Sequence, residues 1–291
     1  MNRARKSVCS WVMCIALLLM QSVSVYGSNE LGILYLVEKN GRRNLVLGTM
    51  HRTAPFLHGY LNEMDIHFRQ AQGLLVELDS ANQSANVAAL QRAARTNTPL
   101  IERLGPELYG KLKRQMGYGS DSMFPYQGVK PWFIWSILVS PEDSGDYMDL
   151  KLQRIFRQQG KPVTALETVD DQIEVFESLS EADQLQLLSD AINHREQIRA
   201  LAAEMLYAYR SRNLHELKRL SLQLPWDADK ALYERLYEAH LDGRNKQMLR
   251  TIKNHFNAGF QMAAVGAMHL PGENGLLRML ERDGYTITTV Y

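Results

Sequence analysis

Two stretches near opposite ends of the chain are built on one plan: Leu45-Val46-Leu47-Gly48-Thr49-Met50-His51 and Ala263-Ala264-Val265-Gly266-Ala267-Met268-His269. Each is an apolar run closed by Gly-x-Met-His. A short apolar run bounded by glycine fits a strand buried on both faces, as in a parallel sheet covered by helices. The glycine fits a sharp exit from that strand. Each copy therefore delivers one histidine to the carboxyl edge of a sheet, where open α/β sheets build their binding sites. The echo is either a remnant of duplication or two strand exits solved in the same way.

The rest of the chain extends this to a mixed fold. Ile33 to Glu38 and Asn44 to Leu47 read as strands joined by an Asn40-Gly41 hairpin turn. Glu63 to Gln72 has helical spacing, and Leu74 to Asp79 is another buried-strand run with Glu77 embedded in it. Helical patterns cover 83–95, 106–116 with Pro106 in the first turn, and Trp132 to Val139. Asp146 to Gln159 is amphipathic, with Met148, Leu152, Ile155 and Phe156 on one side. Val163 to Glu167 is a strand arriving at the same edge. From Asp171 to about Ala258 only helical spacing appears, then Phe260 to Val265 returns to strand. Gly275 to Arg282 is helical and Tyr285 to Val290 is a last strand. The predicted class is α/β (mixed), with a central, mostly parallel sheet, flanking helices and an inserted helical subdomain. One domain spans 28–291, its core made of 28–170 and 259–291 and its insertion of 171–258.

Arg3, Arg5 and Lys6 precede an apolar run from Val8 to Met20, and cleavage fits after Ser24 or Gly27. This is the plan of a secretory signal peptide over residues 1–27. The run is short for the ~20 residues a bilayer span requires. A periplasmic or secreted chain without a membrane span is expected. The two cysteines, Cys9 and Cys14, leave with the leader, which excludes disulfides, a thiolate nucleophile and cysteine-based zinc sites. With 33 Lys and Arg against 32 Asp and Glu, and three of the basic residues in the leader, charge gives no reason to expect nucleic acid.

Four predicted strand ends carry His51, Glu77, Glu167 and His269. An ionisable group ending an apolar run is costly without a partner. The four either satisfy one another or hold a divalent cation. Mixed nitrogen and oxygen donors suit manganese, cobalt, iron(II) or zinc, and the residue types do not choose among them. A cation with an open position activates water and polarises a carbonyl, which gives hydrolysis; one glutamate is then free to act as general base. The chain holds no His-Glu-x-x-His helix, Gly-x-Ser-x-Gly elbow or Gly-rich phosphate loop. His58, His67, His194, His215, His240 and His255 lack ligand-like spacing. Trp132, Trp135 and Tyr207 read as core, and Arg195, Arg199 and Arg210 as a solvated helix face.

Taken together, the pair Gly48–His51 and Gly266–His269, the strands Val76-Glu77-Leu78 and Leu166-Glu167-Thr168, and Arg244-Asn245 resemble the TraB/GumN family, which is related to the Tiki metalloproteases. The closing run Val265 to Leu277, followed by Gly284-Tyr285, looks like the family's ending. The resemblance covers nearly all of the mature chain. It implies an α/β core similar to the erythromycin-esterase and haem-protein relatives. For the Tiki branch it implies peptide hydrolysis dependent on manganese or cobalt, with His51, His269 and Glu77 as metal ligands and Glu77, Glu167 and Arg244 as catalytic residues. Arg244 either pairs with a substrate carboxylate or oxyanion, or locks the insertion to the core. The expected partner is a peptide or small-molecule substrate. The alternative is a non-catalytic envelope protein that binds a metal, haem or peptide at the same edge.

Overall fold

A computed structural model describes residues 31–291 apart from 53, 120–123, 141–146 and 225. The expected leader lies outside the described residues. Six strands form one sheet: β1 Leu34–Lys39, β2 Arg42–Thr49, β3 Gly73–Val76, β4 Val163–Ala165, β5 Gln261–Gly266 and β6 Thr286–Thr289, in the order β4-β3-β5-β2-β1-β6. The first four in that order run parallel, and β1 is antiparallel to both β2 and β6. The class is mixed α/β, as the run pattern predicts. Asn40 and Gly41 turn β1 into β2 with positive φ at both, 52° and 74°, as a two-residue hairpin requires.

Strand β5 slots between β3 and β2, with Thr49 beside Gly266 and Leu74 beside Met262. This places the two sequence echoes on adjacent parallel strands, offset by one residue, so that Gly48 lies beside Val265 and Gly266 beside Thr49. Val46, Leu47 and Met262 to Val265 are fully buried, which explains why neither run carries a polar residue on alternate positions. The main core joins the sheet to Leu57, Leu61, Met64 and Phe68 of the helix Pro55–Phe68 and to Met148, Leu152 and Phe156 of the helix Met148–Gln158. Met248, Ile252 and Phe256 of the helix Arg244–Phe256 complete it.

Between β4 and β5 every regular element is helical, from Val169–Glu177 to Arg244–Phe256. This layer shares its core with earlier helices: Leu188, Ala191 and Ile192 pack with Leu100, Leu112, Ile134 and Leu138. Among the described residues no helix is long and apolar enough to cross a membrane.

Some boundaries differ from the expectation. The helix expected over Glu63–Gln72 begins at Pro55 and ends at Phe68, because a proline in the first turn presets φ and gives up an N–H the helix does not use there. The ladder of β3 stops at Val76, so Glu77 stands just beyond the strand rather than within it. Tyr207, expected in the core, is 71% exposed, while Trp132 is buried.

Candidate functional site

Glycine in the two motifs serves close approach rather than a turn. Gly48 lies inside β2, and Gly266 has an ordinary negative φ of −50°. A Cβ at Gly48 meets the Leu270 side chain at 2.9 Å and the Ala267 backbone at 3.1 Å. A Cβ at Gly266 comes within 3.2 Å of Glu77 Oε1. Without those methyl groups the first exit packs directly on the second, and the Gly266 N–H reaches Glu77 Oε1 at 2.6 Å.

Glu77 begins a buried chain of charges. Its Oε2 accepts from Arg244 Nη2 at 2.5 Å. The same guanidinium donates through Nε to Glu167 Oε2 at 2.9 Å and through Nη2 to Glu167 Oε1. Glu167 Oε1 also accepts from Gln172 Nε2 at 2.7 Å. Glu167 and Arg244 are both buried, which one cation between two carboxylates makes tolerable. Burial opposes the charge on Glu77, yet His269, Arg244, His51 and the Gly266 N–H hold its carboxyl well below the usual range. Glu77 is therefore an anion at neutral pH.

His269 sits in the short turn Ala267–His269 after β5 and is 3% exposed. Its Nδ1 lies 2.7 Å from Asn245 Oδ1. Asn245 Nδ2 donates to the carbonyls of His269 and Asn274, at 3.2 and 2.8 Å. Both amide hydrogens are thus committed, Oδ1 must accept, and the ring proton belongs on Nδ1. Nε2 is left as a lone pair, 3.8 Å from Glu77 Oε1. Burial pushes this imidazole down to about 4, in spite of the neighbouring Glu77.

His51 leaves the adjacent strand into a different setting. Its side chain is 57% exposed, and Nε2 lies 3.0 Å from Asp149 Oδ2. Asp149 is held in turn by Thr49 Oγ1 through Oδ1, at 2.6 Å. The Asp149 carboxylate raises the His51 pKa to about 9. The structure thus joins Glu77, Glu167 and Arg244 in one hydrogen-bonded group, with His269 Nε2 beside it at 3.8 Å and His51 at its margin on a partner of its own.

Arg244 also donates through Nη1 to the His240 carbonyl, at 3.2 Å. That acceptor is available because Glu238–Gly243 is a π-helical turn between the α-helices Lys230–Tyr237 and Arg244–Phe256. The Arg244 backbone N–H goes to the Leu241 carbonyl, three residues back, rather than to that of His240, four back. The His240 ring lines the same cleft as His51, Glu77, Arg244 and His269, a cavity of about 980 Å³. Its far wall is apolar, formed by Trp135, Leu138, Leu201, Met205 and Leu236 among others.

Two participants escape a reading of the sequence, and a third enters it only through the Arg244-Asn245 pair. Asp149 looks like the polar face of an amphipathic helix, and His240 has no spacing that marks it. Asn245 has one signal, its place beside Arg244.

The donors suit a first-row divalent cation in kind, being two imidazoles and a carboxylate. His269 is also oriented as metal-binding histidines are, with one N–H given to an oxygen and the other nitrogen left open. Glu77, however, already accepts at both oxygens, and among the described residues no three His, Cys, Asp or Glu side chains close around a common point.

Residues 33–289 match the TraB/PrgY/gumN family. The chain belongs to that family. It is similar to the uncharacterized protein YbaP of Shigella flexneri, 26% identical over 249 residues, which cover 82% of this chain and 88% of that protein. No solved structure matches it.

Proposed function

We propose that this member of the TraB/PrgY/gumN family is a metal-dependent hydrolase, a peptidase acting in the periplasm or outside the cell. The observation that carries the reading is His269, a buried neutral imidazole whose Asn245 contact leaves Nε2 open toward an ionised Glu77 at the head of a large cleft. The basic, then apolar, start of the sequence supports the location.

In this reading His51, His269 and Glu77 are the residues that would hold a cation, with manganese or cobalt favoured and zinc or iron as the other candidates. Once bound there, it would supply Lewis acidity toward a scissile carbonyl. The remaining work falls to the chain. Asp149, with Oδ2 at 3.0 Å from Nε2 of His51, is the group that orients that ring. Arg244 and Glu167 act through Glu77 as positioning residues: they keep it charged and fix its carboxylate plane. The apolar wall seats the side chains beside the scissile bond and excludes water.

The test is a peptidase assay of the mature chain with added Mn²⁺ or Co²⁺, beside a His51→Ala, His269→Ala double variant. Activity in the first and none in the second is the expected result. Equal activity in the two rejects the reading. The apolar wall favours one rival, a receptor that binds a ligand without turnover. A coloured, inactive protein absorbing near the haem band would support that rival.

A further inference from the structure

We infer that His240 is a catalytic residue of this site, donating a ring N–H to the oxygen of the substrate carbonyl under attack. The inference rests on the hydrolase reading and adds to it the group that steadies negative charge as that charge develops.

Three observations lead to it. First, His240 is an exposed residue that lines the cleft shared with His51, Glu77, Arg244 and His269, and among the described residues neither of its ring nitrogens has a hydrogen-bond partner. A solvated imidazole on the wall of a cleft can exchange water for a ligand oxygen. Second, the ring is held. The His240 carbonyl is tied to Arg244 Nη1, and Phe176 stands at 6.0 Å between ring centroids with the planes tilted by 48°. Third, the residue sits on a π-helical turn, an irregularity that sheds regular α-helical hydrogen bonds and is found frequently at functional sites.

The neighbouring donors narrow the role. Arg244 has four hydrogen bonds to Glu77, Glu167 and the His240 carbonyl, so its charge is spent inside the protein. His269 gives its N–H to Asn245, and His51 turns Nε2 to Asp149. A donor for a carbonyl oxygen in the cleft is therefore sought elsewhere, and His240 supplies one. Partial desolvation by the cleft walls and the charge on Arg244 push its imidazole down to about 4, so the ring is neutral at pH 7. A neutral imidazole donates an N–H to a carbonyl without first losing a proton to it. In the step itself water adds to the carbonyl carbon and gives a proton to a second water, and the oxygen takes the electron pair of the C=O bond while His240 bonds to it. Collapse of that pair re-forms the C=O bond and expels the amine, which takes up the proton that the attacking water released.

The experiment measures kcat and KM on fluorescein-labelled casein with Mn²⁺ for the wild-type mature chain, His240→Gln and His240→Leu. Glutamine keeps an N–H donor; leucine fills the space without one. The expected result is a fall in kcat of about 10²–10³-fold for His240→Leu, a KM within about threefold, and recovery of at least roughly tenfold in His240→Gln. Bound manganese and thermal midpoint stay at wild-type values in both. A His240→Leu kcat within twofold of wild type overturns the role of His240 and leaves the hydrolase reading standing. So does a glutamine variant no better than leucine. A wild-type chain without turnover overturns both.

Discussion

The two Gly-x-Met-His exits share a sequence plan and neighbouring strands, offset by one residue in register, yet their histidines live in opposite environments. His269 is buried, neutral and pinned by an amide; His51 is open and paired with a carboxylate. What differs is supplied by other elements. Asn245 comes from the helix that closes the insertion, and Asp149 from a helix that covers the sheet. The motif sets where a backbone goes, and the partners that meet it set the chemistry. A repeated sequence is therefore no guide to repeated function within one site.

The comparison can be broken from its closed side. Arg244→Ala leaves Glu77 and Glu167 as buried carboxylates without their cation and is expected to lower stability by roughly 3–5 kcal/mol in urea unfolding. Arg244→Lys falls between, because a point charge does not reproduce the fork. Next, Asn245→Ala strands two carbonyls and the Nδ1–H of His269, a loss of roughly 2 kcal/mol by the same measurement. An Asn245→Ala chain as stable as wild type would mean that the amide does not set the ring's state.

Protonation sharpens the contrast. The folded pKa of His269 lies near 4, below its ordinary 6.5. As pH falls below 6.5 the unfolded chain takes up the proton first, so the stability from this group is full above 6.5 and is lost toward 4. Its share of the slope approaches about 1.4 kcal/mol per pH unit. His51 has the opposite sign: raised to about 9, its contribution is full below 6.5 and disappears as pH rises through 9. NMR titration of the two ring Cε1–H signals should give one midpoint on each side of 6.5. The smallest effect belongs to the open side. Asp149→Asn removes the carboxylate that raises His51, and the His51 midpoint is expected to drop back toward 6.5 in the same titration.

Legibility in the sequence followed burial. Strands β2 and β5 were readable because both faces are covered, so their apolar runs are unbroken. The ring of His51 and the carboxylate of Glu77 stood out as polar groups ending such runs. The helix start at Pro55 was hidden by the unpatterned residues after His51. The bond from Arg244 to Glu77 joins residues 167 apart, and no local pattern encodes that meeting. His240 was invisible for a different reason. A π-helical turn keeps helical composition and changes only the hydrogen-bond register, so nothing in Glu238–Gly243 announces that this ring turns toward the cleft.

The sheet's borders carry a consequence of their own. Its outermost strands are β4, of three residues, and β6, of four. Borders so short expose few unpaired amides and carbonyls to a foreign chain. The long, sticky strands that could template fibre growth lie in the interior of the sheet, shielded on both sides by neighbours. Crowded or warmed solutions should accordingly find little foothold for end-to-end stacking of one molecule on the next.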